Sequence, residues 1–169
     1  SGSWPVYLTA VGNTLYFQAT DGTNGVELWK SDGTASGTVM VKDIYSGSTG
    51  SSPFGLTAVG NTLYFRANDG TNGYELWKSD GTTSGTVMVK DIVSGSGSSG
   101  PQLLTVIGNT LYFQAYDVTN GSELWKSDGT ASGTVMVKNI RSGSSSSFPS
   151  GLTVIGNTLY FQAYDVTNG

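Results

Sequence analysis

Short apolar runs alternate with links rich in Gly, Ser, Asn and Asp along the whole chain, and none of the runs has helical spacing. In the first stretch, Leu8–Val11 is a short apolar segment followed by the tight-turn pair Gly12-Asn13. TLYFQAT (residues 14–20) reads as a second strand, and DGTNG (21–25) as a hairpin link whose Asn24-Gly25 suits a type I′ turn. VELWK (26–30) is a third strand, residues 31–38 a polar loop, and TVMVKDI (38–44) a fourth strand. The link that follows, residues 45–55, is the longest and is mostly Ser and Gly.

This set then recurs. ELWKSDGT starts at Glu27, Glu75 and Glu123, and GNTLYF starts at Gly12, Gly60, Gly108 and Gly156, always 48 residues apart. Pro5, Pro53, Pro101 and Pro149 keep the same register. Residues 5–52 and 53–100 match at 38 of 48 positions, and residues 104–121 are identical to 152–169. The chain is one repeat array: units 5–52, 53–100 and 101–148, then a half-unit, 149–169. Three short links per unit predict a meander of four antiparallel strands, and the long link carries the chain to the next sheet. TLYF and TVMV put apolar groups on both faces of the sheet, so each sheet needs a neighbour on either side. Four-stranded meanders of this length stacked face to face are β-propeller blades. A β-solenoid, with shorter rungs and no repeated hairpins, fits less well. The expected fold is all-β, a propeller of four-stranded antiparallel blades with about 3.5 blades per chain.

Composition narrows the chemistry. Among 169 residues there is no Cys and no His, which removes disulfides, thiol nucleophiles, His bases and the usual zinc sites. A net charge of −4 argues against a nucleic-acid partner, and no apolar run approaches the roughly 18 residues of a membrane-spanning helix. No cofactor is implied.

The tag ELWKSDGT, flanked by NTLYF, DGTNG and GTVMVKDI, resembles the ELWxxDGT repeat of bacterial surface and secreted proteins over essentially the whole chain from Pro5 onward. The resemblance implies a propeller-type blade and an extracellular or cell-surface bacterial origin, and it implies no activity. The near-identity of the units also resembles a recent amplification of one blade, or an engineered array.

Propellers close with about four to eight blades, so 3.5 blades are expected to close by self-association, most simply as a homodimer. One blade face presents roughly 300–400 Å², and covering two such faces on each partner outweighs the cost of association. Seven or eight blade positions, or a swap in which one chain's first two strands replace another's, all satisfy that need. In each, the half-unit is an assembly element, with Leu152, Val154, Leu159 and Phe161 at the interface. Trp4, outside the repeat pattern, caps the first blade or lies at the seam between chains.

Candidate sites are few. Trp29, Trp77 and Trp125 sit at one repeat position and read as packing between blades rather than as a sugar platform. The single-Asp turns, DGTNG and SDGT, read as turn chemistry rather than as calcium loops, which need several carboxylates. DVTNG, with Val118 and Val166, departs further from a metal motif. Glu27, Glu75, Glu123, Asp32, Asp80 and Asp128 repeat with the blades, as structural residues do, and no pair stands out for glycoside hydrolysis. No enzyme activity is expected. Most differences between units fall on the face carrying the second-to-third-strand and inter-blade links. If the chain binds a ligand, that face is where it is expected, at Tyr74, Tyr116 and Arg141; the plainer reading is that long Ser/Gly links drift because little depends on them. The two functions to separate are a structural, self-assembling repeat module and a multivalent lectin-like carbohydrate binder.

Overall fold

A computed structural model describes residues 2–165, and these form strands without helices. The first sheet contains β1 (Val6–Val11), β2 (Thr14–Thr20), β3 (Val26–Ser31) and β4 (Val39–Lys42). The second contains β5 (Phe54–Val59), β6 (Thr62–Asn68), β7 (Tyr74–Ser79) and β8 (Val87–Lys90). The third contains β9 (Gln102–Ile107), β10 (Thr110–Asp117), β11 (Gly121–Ser127) and β12 (Val135–Lys138). A two-stranded sheet of β13 (Ser150–Ile155) and β14 (Thr158–Gln162) follows. Each sheet is an antiparallel meander in chain order, and successive sheets meet through their first strands β1, β5, β9 and β13.

The hairpins differ in one respect from the sequence reading. Pairing of Val11 with Thr14 leaves Gly12-Asn13 as a two-residue loop, and Gly12 takes a φ of 57°. The next link is not a type I′ turn, because Gly25 has a positive φ and Asn24 does not. Asp21 organises it instead: its Oδ1 accepts from the backbone N–H of Thr23 and Asn24, and its Oδ2 accepts from the Asn24 side chain at 2.7 Å. A local Asx network satisfies the turn where a tight two-residue hairpin was expected. The first strand also begins earlier than its apolar run, at Val6, and it carries a register shift between Val6 and Thr9.

That irregularity recurs and has a backbone cost. Tyr7, Gly55, Leu103 and Gly151 occupy the same repeat position with φ of 57°, 68°, 59° and 62°. Glycine meets this left-handed conformation without a Cβ clash, whereas Tyr7 and Leu103 are strained there. Trp4, Ser52, Gly100 and Phe148 form a second such column, with φ between 47° and 56°. Trp4 therefore belongs to the repeat in backbone conformation, and its exposed ring has an aromatic counterpart in Phe148.

The core lies between sheets. Tyr16, Leu28, Val41 and Ile44 of the first sheet pack against Leu63, Phe65, Ala67 and Trp77 of the second. One repeat later, Tyr64, Leu76 and Val89 pack against Leu111, Phe113, Ala115 and Trp125. Leu63, Phe65 and Phe113 are almost wholly removed from solvent. Strand alternation thus sends one set of apolar residues forward and the other backward, and both find a neighbouring sheet.

A Cβ at Gly55 would meet nothing closer than Leu104 at 3.8 Å, so backbone strain alone penalises a side chain there. Gly55→Ala should cost about 1 kcal/mol. Leu103→Gly should give a net gain of at most about 1 kcal/mol, because glycine's own entropy cost offsets part of the relieved strain. Chemical denaturation of both variants measures the two effects.

Candidate functional site

The repeated carboxylates divide into two kinds. Glu27, Glu75 and Glu123 are fully buried, and each ties a long link to the sheet before it. Glu27 Oε1 accepts from the backbone N–H groups of Tyr45 and Ser51, and its Oε2 accepts from Ser51 Oγ at 2.5 Å. Glu75 holds Ser99, and Glu123 holds Ser147, through the same side-chain and backbone bonds. Each serine carbonyl then accepts a backbone N–H from the end of the next sheet's second strand or just beyond it: Ser51 from Asn68, Ser99 from Tyr116 and Ser147 from Tyr164. Burial raises the carboxyls of Glu27 and Glu75 above the ordinary range, against the hydrogen bonds that favour ionisation. The aspartates behave oppositely. Asp32, Asp80 and Asp128 are held below their ordinary range by the side chain and backbone of Thr34, Thr82 and Thr130, two residues on. No three carboxylates cluster among the described residues.

A second set of bonds latches sheet to sheet. Lys30 Nζ donates to Gly81 O at 2.8 Å, and Lys42 Nζ donates to Thr86 O at 2.8 Å. Lys78 and Lys90 repeat this on Gly129 and Thr134. Lys42 and Lys90 also lie over the rings of Trp77 and Trp125. The phenols of Tyr16 and Tyr64 fill the space beside Gly81 and Gly129, where a Cβ would collide with them. Gly81 and Gly129 are thus required by their neighbours as well as by their own φ of 88°.

The latch is incomplete at both ends of the array. Lys126 and Lys138 of the third sheet have no corresponding carbonyl among the described residues, and Val137 is 45% exposed where Val41 and Val89 are buried. At the other end, among the described residues, no lysine reaches the carbonyls of Gly33 and Thr38, and nothing lies within 4 Å of a Cβ built on Gly33. Leu8, Leu15, Phe17, Ala19 and Trp29 line a mostly apolar cavity of about 400 Å³ on the back of the first sheet. The matching residues of the second sheet are covered by the first.

The expected assembly residues lie at the two ends of the array. Phe161 is 37% exposed, while Phe65 and Phe113 are buried beside their cross-strand partners Trp77 and Trp125. Leu152 and Leu159 are half-buried, and Val154 is exposed. Ile155 and Tyr160 are exposed, although the equivalent Val11 and Tyr16 pack against the second sheet. Trp4 is 77% exposed and lines a shallow depression with Val6 and Val26 rather than the apolar cavity. Trp77 and Trp125 are buried in the inter-sheet cores, in keeping with a packing role, while Trp29 forms a wall of the cavity. Val166 lies outside the described residues.

Tyr74, Tyr116 and Arg141 make no hydrogen bond or ring contact with one another among the described residues. Arg141 donates its backbone N–H to Glu123, and its Nε is buried without a partner. Tyr116 is exposed on β10. Tyr74 stacks on Arg66, with the guanidinium carbon 5.2 Å from the ring centroid. Arg66 was not singled out from the sequence. Its signal was its replacement of Gln18, Gln114 and Gln162 in an otherwise constant column.

No known family's sequence profile matches the chain, and no curated protein does. Among solved structures, the computationally designed Ika8 protein aligns over 94% of this chain and 55% of its own, at 14% identity and a TM-score of 0.39. The chain thus spans about half the length of that designed protein.

Two outcomes follow from this geometry. The raised pKa values of Glu27 and Glu75 contribute stability that is present below 4.5 and lost as pH rises through the folded value. The depressed aspartates contribute stability that is lost as pH falls below 3.8. Thermal unfolding should therefore show a maximum between about pH 3.8 and 4.5, and Glu75→Gln should flatten the decline above it. Lys78→Met should cost about 1–2 kcal/mol by leaving Gly129 O without its charged donor, as denaturant titration would measure.

Proposed function

We propose that this chain is a non-catalytic structural module, a β-propeller array of the ELWxxDGT type whose open sheet faces are covered by a second copy. The observation that carries this reading is the complementarity of its two ends. The third sheet presents lysines without carbonyls, and the first presents carbonyls and a glycine pocket without lysine or phenol. The half-sheet exposes Ile155 and Tyr160, and the first sheet exposes the cavity between Leu8 and Trp29. Each end lacks what the other supplies at the internal junctions, so head-to-tail association reuses a contact that the sequence already makes twice.

Head-to-tail contacts close only if the rotation per sheet is right, and otherwise they extend into filaments. A homodimer that closes as a ring is the simplest solution. Because the units are nearly identical, β13–β14 of one copy can replace β1–β2 of another without altering the sheet, so strand exchange is a route to closure. The repeated placement of the carboxylates in turns and buried staples supports a scaffold rather than an enzyme. An extracellular bacterial setting follows from the resemblance of the ELWKSDGT tag.

Light scattering on a sizing column tests the proposal. The 17.6 kDa chain should elute at twice its mass and stay there on dilution. Leu8→Glu, on an exposed wall of the cavity, should return it to a folded monomer. A compact wild-type monomer, or a dimer indifferent to Leu8→Glu, would reject this mode of closure.

A further inference from the structure

Several substitutions that break the repeat are not scattered in space. Phe54, Arg66 and Tyr74 stand where the first unit has Val6, Gln18 and Val26, and the three side chains meet. Arg66 lies on β6 between its cross-strand partner Phe54 on β5 and Tyr74 on β7. Its guanidinium carbon is 4.9 Å from the Phe54 ring centroid and 5.2 Å from that of Tyr74. Tyr7 reaches across from the first sheet and meets Phe54 edge-on at 5.0 Å. Its backbone has the left-handed φ that this repeat position takes in every unit, with Gly55, Leu103 and Gly151 as its counterparts.

The column has more donors than the fold uses. Arg66 makes no hydrogen bond or ion pair among the described residues, and its Nε is buried without a partner. Lys30, Lys42, Lys78 and Lys90, by contrast, are spent on inter-sheet carbonyls. The rings of Phe54 and Tyr74 both lie against the guanidinium, and its fork-like N–H donors are left as the unused recognition element. Tyr7 and Phe54 are half-exposed beside it.

We infer that Tyr7, Phe54, Arg66 and Tyr74 form a binding site for a carboxylate-bearing sugar. The carboxylate takes the guanidinium edge, and an apolar face of the sugar ring lies on the exposed aromatics. The site is single in the chain, because the other units carry Gln at the arginine position. It is independent of the assembly proposed above and gives the carbohydrate-binding alternative a specific location and charge preference.

Calorimetric titration with trigalacturonate, and with neutral maltotriose as control, tests the inference. Wild-type protein should bind trigalacturonate saturably, bind it more weakly as salt is raised, and leave maltotriose unbound. Arg66→Gln restores the residue found in the sister units, so the fold is expected to persist. It should lose at least tenfold in affinity, and Arg66→Lys, a point charge without the fork, should fall between. Light scattering of Arg66→Gln should give the wild-type mass. Absence of saturable binding to wild type, equal binding by Arg66→Gln, or a changed mass for that variant would overturn the assignment. A monomeric wild type that binds trigalacturonate would instead reject the assembly proposal and leave this one standing.

Discussion

A buried carboxylate at the start of each third strand is the constraint on which the sheet array depends. Glu27 lies in a sheet whose two faces are both apolar, and it can stay there only because Ser51 and two backbone N–H groups take its oxygens. That requirement folds a long, otherwise featureless Ser/Gly link back onto the sheet it leaves. The serine that satisfies the glutamate also pairs, through its carbonyl, with the next sheet. One interaction therefore fixes both the path of the link and the placement of the following unit, and three copies of it run the length of the chain.

With the spacing set at the links, the faces supply the cohesion. Leu, Phe and Trp of one sheet fill the ground between Tyr, Leu and Val of the sheet before, and lysines close the polar rim by donating to carbonyls of the next SDGT turn. This arrangement is directional: donors point one way and acceptors the other. A stack with such polarity has two different ends, each presenting groups that the other lacks. The two arginines lie outside the polarity, and each has a buried Nε without a partner. Arg66, held between two rings, is where the repeat gives way to individual chemistry.

Much of the fold was legible in the sequence because the 48-residue period repeats its own evidence. A single NTLYF segment is an ambiguous apolar run, but four copies with constant turns around them make a meander the only consistent reading. The roles of Trp77 and Trp125 followed from the same logic. The turn type at DGTNG was misjudged because an Asp side chain competes for the backbone N–H groups that a two-residue hairpin would leave free. The strained column at Tyr7 and Leu103 was illegible because two large side chains occupy a conformation that only their glycine counterparts announce.

Strand order, sheet boundaries and the two-faced character of each sheet were determined by the sequence alone, since they depend on local alternation and on link length. What only the tertiary structure decided is which side chains meet across units. The pairing of Lys30 with Gly81, separated by 51 residues, depends on the relative placement of two sheets, which no local pattern records. The same is true of Arg66, whose Gln-to-Arg change is one difference among ten until packing brings Phe54 and Tyr74 to either side of it. Periodicity specifies what every unit shares, whereas packing reveals what the exceptional residues do together.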